Sequence, residues 1–155
     1  MRKLMPYALA ALCVGAVLAA PASAARDSTD GTVTLVGLSQ EGEPPFSGSN
    51  RVAGEVKGDL GRGAYLGTNT FGPPGEFQGK FRAFFKKGTL KGRLSGTGTL
   101  TSDGTAVFEG SGEYTGGTGR YKGAEGSFTF EGSQPPDTTS DSEPAVFQVD
   151  GRVRY

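Results

Sequence analysis

The run Gly116 to Gly132, GGTGRYKGAEGSFTFEG, constrains the fold more tightly than any other part of the chain, because it joins a glycine-dense turn to a two-faced strand. Glycine tolerates positive φ, so Gly116, Gly117 and Gly119 let the backbone reverse tightly. Beyond the turn, Ala124, Gly126, Phe128 and Phe130 alternate with Glu125, Ser127, Thr129 and Glu131. That period of two belongs to a strand with one apolar face.

The same rhythm recurs along the chain. Extended segments are predicted at roughly 32–38, 51–60, 64–70, 77–86, 89–101, 105–115, 122–132 and 145–155, and no helical period intervenes. The prolines after the N-terminal leader fall between these segments, at Pro44–Pro45, Pro73–Pro74, Pro135–Pro136 and Pro144, where a missing amide donor does not interrupt a ladder. The polar stretch 133–144 reads as a mobile connection within one domain, because another strand follows it.

Side-chain type tests the register of each hairpin. A two-residue turn at Lys87–Gly88 would set Phe85, Ala83 and Phe81 opposite Leu90, Gly92 and Leu94. A three-residue loop Ser102–Asp103–Gly104, with Gly104 left-handed, sets Leu100 against Ala106, Gly98 against Phe108 and Arg93 against Glu113. A two-residue Asp-Gly turn would place Leu94 beside Glu113, so keeping each face uniform selects the longer loop. Gly110, Gly112 and Tyr114 then share a face with Phe128 and Phe130, and Phe147, Val149, Gly151, Val153 and Tyr155 continue it.

One long sheet with a continuous apolar face has no partner to cover it, so it must close on itself. Eight strands give a single antiparallel up-and-down barrel whose interior holds side chains or one small ligand, with a β-sandwich as the alternative. Glycines at alternate strand positions ease the curvature.

Residues 1–24 have the build of a secretory signal peptide: basic Arg2 and Lys3, an apolar run from Ala8 to Ala20, and an Ala22–Ser23–Ala24 ending. The apolar run is shorter than the roughly 20 residues of a membrane span. Cys13 suggests a lipid anchor, but Leu12 is too large for the small residue that precedes a lipoprotein cysteine. Cleavage after Ala24 leaves 25–155 as one exported domain, with no membrane span. Sixteen basic residues balance sixteen acidic ones, and loss of Arg2 and Lys3 leaves a net charge of about −2, which gives no pull toward nucleic acid.

The single cysteine departs with the leader, and the chain has no histidine. Disulfides, thiol nucleophiles, histidine-assisted hydrolysis and histidine-containing zinc sites are thereby excluded, and no cofactor or metal is expected. Gly75 to Lys80 lacks the length and hydroxyl of a phosphate loop, and Gly117–Thr118–Gly119 does not complete a dinucleotide fingerprint. Acid–base chemistry would fall to Asp, Glu, Tyr or Lys, with a carboxylate raised by burial.

The candidate site residues are few. Arg120 and Tyr121 stand at the glycine turn, where the arginine either binds an anionic group or covers the barrel rim. Tyr114 and Tyr155 lie on the inner face, as ligand hydroxyls or as packing. Glu41, Glu43 and Phe46 fall in the first long loop and Asn69 at a strand end, as lid, rim or ordinary loop. Lys80, Arg82, Lys86, Lys87, Lys91 and Arg93 form a basic outer hairpin that solvates the sheet, with Glu113 and Glu125 offsetting it. The interior reads as glycine, aliphatic and aromatic, without carboxylate, asparagine or arginine.

From about Phe77 to Gly132, GTAVFEGSGEY followed by GGTGRYKGAEGSFTFEG resembles the glycine-rich hairpin of the allene oxide cyclase and dirigent-like barrel superfamily, especially small secreted bacterial proteins. That resemblance implies an eight-stranded barrel, and either cyclisation or isomerisation of a lipid-derived or polyketide-like molecule or stereochemical guidance of a coupling. Only Gly116 to Tyr121 transfers, with Arg120 as its arginine. A non-catalytic binder of a small hydrophobic molecule, or an extracellular module, is the favoured reading. The alternative is a cofactor-independent isomerase or cyclase, with Glu41 as acid or base and Arg120 as anchor.

Overall fold

Alternation decides which side chains are inside. In the strand Glu76–Phe85, Phe77, Phe81 and Ala83 are buried while Lys80, Arg82 and Phe84 are exposed. The computed structural model describes residues 26–41, 48–136 and 144–155. Its strands are β1 (Arg26–Ser28), β2 (Gly31–Glu41), β3 (Gly48–Gly58), β4 (Gly61–Gly72), β5 (Glu76–Phe85), β6 (Gly88–Leu100), β7 (Ala106–Gly117), β8 (Glu125–Gln134) and β9 (Ala145–Arg154). A single 3-10 turn, Gly119–Tyr121, joins β7 to β8. Among the described residues no helix is long and apolar enough to cross a membrane.

Strands β2 to β9 pair antiparallel in chain order, and β9 pairs with both β8 and β2. The sheet is therefore a closed eight-stranded up-and-down barrel, and the sandwich alternative is excluded. Closure leaves no long edge for another chain to extend. The short β1, absent from the sequence reading, continues the line of β2 along β9 by pairing Arg26 with Arg154. Between them, Thr29 N–H donates to Gly151 O at 3.0 Å and Gly151 N–H donates to Asp30 Oδ1 at 3.1 Å. The Asp30 carboxylate thus stands in for a backbone acceptor where the edge breaks.

The β6–β7 hairpin has the expected register: Leu100 faces Ala106, Gly98 faces Phe108 and Arg93 faces Glu113. Gly104 has φ +87°, as the three-residue loop requires. Further along, Lys91 pairs with Gly116 but Gly92 pairs with Tyr114, so Thr115 is an extra residue that bulges the strand.

The β5–β6 register differs from the expected one by two residues. Lys86 and Lys87 form the loop, and Phe85 faces Gly88, Ala83 faces Leu90 and Phe81 faces Gly92. Gly88 is held in the ladder by the neighbouring turn: Arg120 N–H donates to Lys87 O at 2.9 Å, and a Cβ on Gly88 would stand 2.1 Å from Thr118 O. A shift of two leaves every side chain on its face, so the apolar pattern could not detect it. Several boundaries also move, and β4 runs on to Gly72, so Asn69 lies within the strand rather than at its end. Glu41 ends β2 rather than sitting in a loop, β8 begins at Glu125 because the 3-10 turn occupies the chain before it, and Ser133 and Gln134 belong to β8 rather than to the connection. Residues 137–143 of that connection lie outside the described residues.

The core has two parts. An aromatic cluster from β5 to β9 includes Phe77, Phe81, Phe108, Phe128 and Phe130, and an aliphatic one comprises Val33, Leu35, Val52 and Ala145. Tyr65, Phe147 and Val149 pack against both.

Candidate ligand cavity

Inner-face glycines determine where the aromatic rings go. A Cβ on Gly92 would stand 2.6 Å from the Phe81 ring, one on Gly110 2.5 Å from Phe130, one on Gly112 2.2 Å from Phe128 and one on Gly132 2.5 Å from Phe147. Each ring lies over a neighbouring strand where no side chain intervenes. The rings then meet one another, Phe81 with Phe128 at 5.6 Å edge-on and Phe77 with Phe130 at 6.0 Å. Such pairs contribute about 0.5–1.5 kcal/mol each beyond their burial.

The aliphatic wall carries smaller side chains and does not reach across. A cavity of about 120 Å³ remains, lined by Phe77, Phe81, Phe108 and Phe128 on one side and Val33, Leu35, Val52 and Val56 on the other. Its charged lining residues, Lys57 and Asp59, are exposed at the β3–β4 turn. The remaining polar lining is Thr29, Asn50 and Asn69 together with the phenols of Tyr65 and Tyr114. Among the described residues no group of three or more His, Cys, Asp or Glu could hold a metal ion.

Asn50 and Asn69 are Cα partners across β3 and β4, and Asn69 is in turn the partner of Gly79 on β5. Asn50 is only 6% exposed. The side-chain oxygens Asn50 Oδ1, Asn69 Oδ1 and Thr29 Oγ1 are buried without a hydrogen-bond partner of standard geometry. Burial pushes the Tyr65 phenol well above its ordinary range and the Tyr114 phenol up to about 12. For Tyr114 the nearby Thr29 hydroxyl pulls the other way and the Asp30 charge adds to the rise. Thr29 Oγ1 is therefore close enough to Tyr114 to bias its ionisation, although it does not reach hydrogen-bond geometry.

The residues singled out from sequence divide into two groups. Tyr114 and Asn69 line the cavity. Tyr121, Tyr155 and Arg120 gather instead at the end where β7 gives way to β8. There the Tyr121 ring, 1% exposed, lies 5.6 Å from Phe85 and 5.0 Å from Tyr155. Arg120 donates to Asp27 Oδ2 at 2.8 Å and covers the Tyr155 ring at 5.0 Å, while the Tyr155 hydroxyl donates to the same Asp27 oxygen. Glu41 closes β2, its side chain outside the described set, and Glu43 and Phe46 lie outside the described residues altogether.

The basic hairpin faces outward, and Arg93 pairs with Glu113 through Nε at 3.0 Å. Glu125 does not help it, because Glu125 bonds Arg154 at 2.6 Å. The corrected register also sets Arg82 opposite Lys91 and Lys80 opposite Arg93.

The expected interior without asparagine is corrected by Asn50 and Asn69. Asn69 is in step with Tyr65 and Phe71 inside the expected strand 64–70, and Asn50 is in step with Val52 and Val56 once β3 is carried back beyond residue 51. Comparison with protein-family models, curated proteins and solved structures found no match to this chain.

Proposed function

We propose that this chain is an exported, non-catalytic barrel that binds a small, mainly apolar molecule inside the cavity. The observation that carries the reading is the roughly 120 Å³ space between the aromatic and aliphatic walls. Apolar cavities of this order hold benzene-sized molecules. Export is supported by the basic start, apolar run and Ala-Ser-Ala ending of residues 1–24. The up-and-down barrel and the glycine turn at Gly116 to Tyr121 support kinship with the allene oxide cyclase and dirigent-like barrels.

Isomerase chemistry would need an acid or base held against the ligand. The described lining offers amides, a hydroxyl and phenols that burial keeps neutral, with its charged members exposed. Binding is therefore favoured over turnover.

Toluene provides the test. A ligand that binds only the folded state raises stability with its concentration. The urea midpoint of the purified protein should rise with toluene, and Val52→Phe, which fills the cavity from the β3 wall, should abolish the rise. A midpoint indifferent to saturating toluene overturns the reading.

A further inference from the structure

We infer that the ligand enters and leaves the barrel past the β3–β4 turn, and that Leu60 is the side chain that sets the rate of passage. The inference rests on the cavity reading and adds the route by which that site fills. Of the described residues that border the cavity, the exposed ones are Lys57, Gly58, Asp59 and Gly61, and all four belong to this one hairpin tip. Every other described lining residue is buried or half-buried. The described wall therefore comes nearest to solvent where β3 turns into β4.

Asp59 and Leu60 form a two-residue turn closed by the Gly58–Gly61 pair. Outside the strand ladder, Asp59 N–H donates to Asp30 O at 3.0 Å, at the break between β1 and β2. Gly61 has φ +105°, and a Cβ there would meet nothing within 4 Å, so the flank of the turn is open. Leu60 is the apolar side chain of the tip: half-buried, it packs against the aromatic cluster and borders the cavity. Rotating that side chain outward requires no ladder bond to break, which is the economy of a lid carried on a turn. The β7–β8 side of the same barrel end is filled. Tyr121 packs there against Phe85 and Tyr155, and neither tyrosine borders the cavity.

The association rate constant of toluene, read by NMR exchange spectroscopy, tests the route. A contact made only with the bound ligand alters dissociation, whereas a gate alters association as well. Leu60→Ala is expected to raise the association rate about fivefold and Leu60→Phe to lower it by about the same factor, the scale of part of one side chain's burial acting on a barrier. Arg120→Ala, at the same barrel end but off the cavity, is the control and is expected to leave the rate within about twofold of wild type, because it does not touch the gate.

If toluene binds but its association rate is unchanged in both Leu60 variants, the proposal is overturned and the cavity reading stands, since the ligand then enters elsewhere. A rise in Arg120→Ala equal to that in Leu60→Ala also overturns it, because general loosening of the barrel end would then account for both. If toluene does not bind the wild type, the cavity reading fails and this one with it. Should Leu60→Ala not fold, the slowing in Leu60→Phe decides alone.

Discussion

Asn69 occupies the space that Gly79 leaves open: a Cβ on Gly79 would stand 2.1 Å from Asn69 Oδ1 and 2.7 Å from the Thr68 carbonyl oxygen. The two are cross-strand partners in β4 and β5, so a Cβ on Gly79 fits only if the amide turns away and the Thr68 carbonyl gives. Gly79→Ala is expected to lower stability by about 1–3 kcal/mol, the usual cost of forcing atoms into a packed interior. Urea denaturation measures it. An unchanged midpoint would show that the amide swings aside freely.

The aromatic half obeys the same geometry. Gly112→Ala would bring a Cβ to 2.2 Å from the Phe128 ring and 2.5 Å from Arg93 O, and is expected to cost about 1–3 kcal/mol. Gly72→Ala is the control. Its Cβ would meet nothing nearer than Glu76 O at 4.0 Å, and its effect should stay within about 0.5 kcal/mol. Equal losses at both positions would contradict the idea that inner glycines are seats for rings.

Alkaline pH should weaken the fold through the buried phenols. Burial raises Tyr65 above the normal tyrosine range and Tyr114 to about 12 in the native state, against about 10 in an unfolded chain. The unfolded state therefore releases these protons first. The stability gained by keeping both phenols neutral is complete below about pH 10 and is lost as pH rises through 10 toward 12. The urea midpoint should fall over that range, and Tyr65→Phe/Tyr114→Phe should flatten the fall. A wild-type midpoint that stays level from about pH 9 to 11 contradicts the expectation.

Arg120 acts as a fastener at the end of the barrel that carries the β7–β8 turn. Its guanidinium bridges Asp27 and the Tyr155 ring, but Arg120 and Asp27 side chains are 42% and 34% exposed. Solvent screening holds such contacts to about 0.5–1 kcal/mol in total. Arg120→Ala should cost no more than that and leave toluene affinity within about twofold. Tyr121→Ala, which removes a fully buried ring, should cost about 3–5 kcal/mol. A large loss of toluene binding in Arg120→Ala would instead place the arginine in the site.

The barrel was legible from alternation, because a period of two fixes which side chains face inward and glycine-marked turns fix where strands end. Gly104 set the β6–β7 register through its left-handed loop. The β5–β6 register was not legible, since a slip of two residues changes no face and the contact that decides it, Lys87 with Arg120, comes from a distant turn. Of the site, Tyr114 and Asn69 were visible, Tyr114 from its parity on the inner face. Asn50 was hidden because it stands at the start of β3, where the alternation has too few residues to define a face. Thr29 was hidden because it lies in the break between β1 and β2, outside any alternating run. Arg120 carried the sharpest local motif yet is engaged with Asp27, a partner that lies far away in the sequence.

The most direct test of ligand binding inside the barrel is a toluene titration of the methyl-labelled protein followed by carbon–proton NMR. Val33, Leu35 and Val52 are buried at the cavity, whereas Leu66, Val107 and Val146 are exposed on the outer surface. Saturable shifts at the cavity methyls, Val33, Leu35 and Val52 among them, with none at Leu66, Val107 or Val146, are the expected result. Shifts only at Leu66, Val107 or Val146, or no shift at all, would contradict the account.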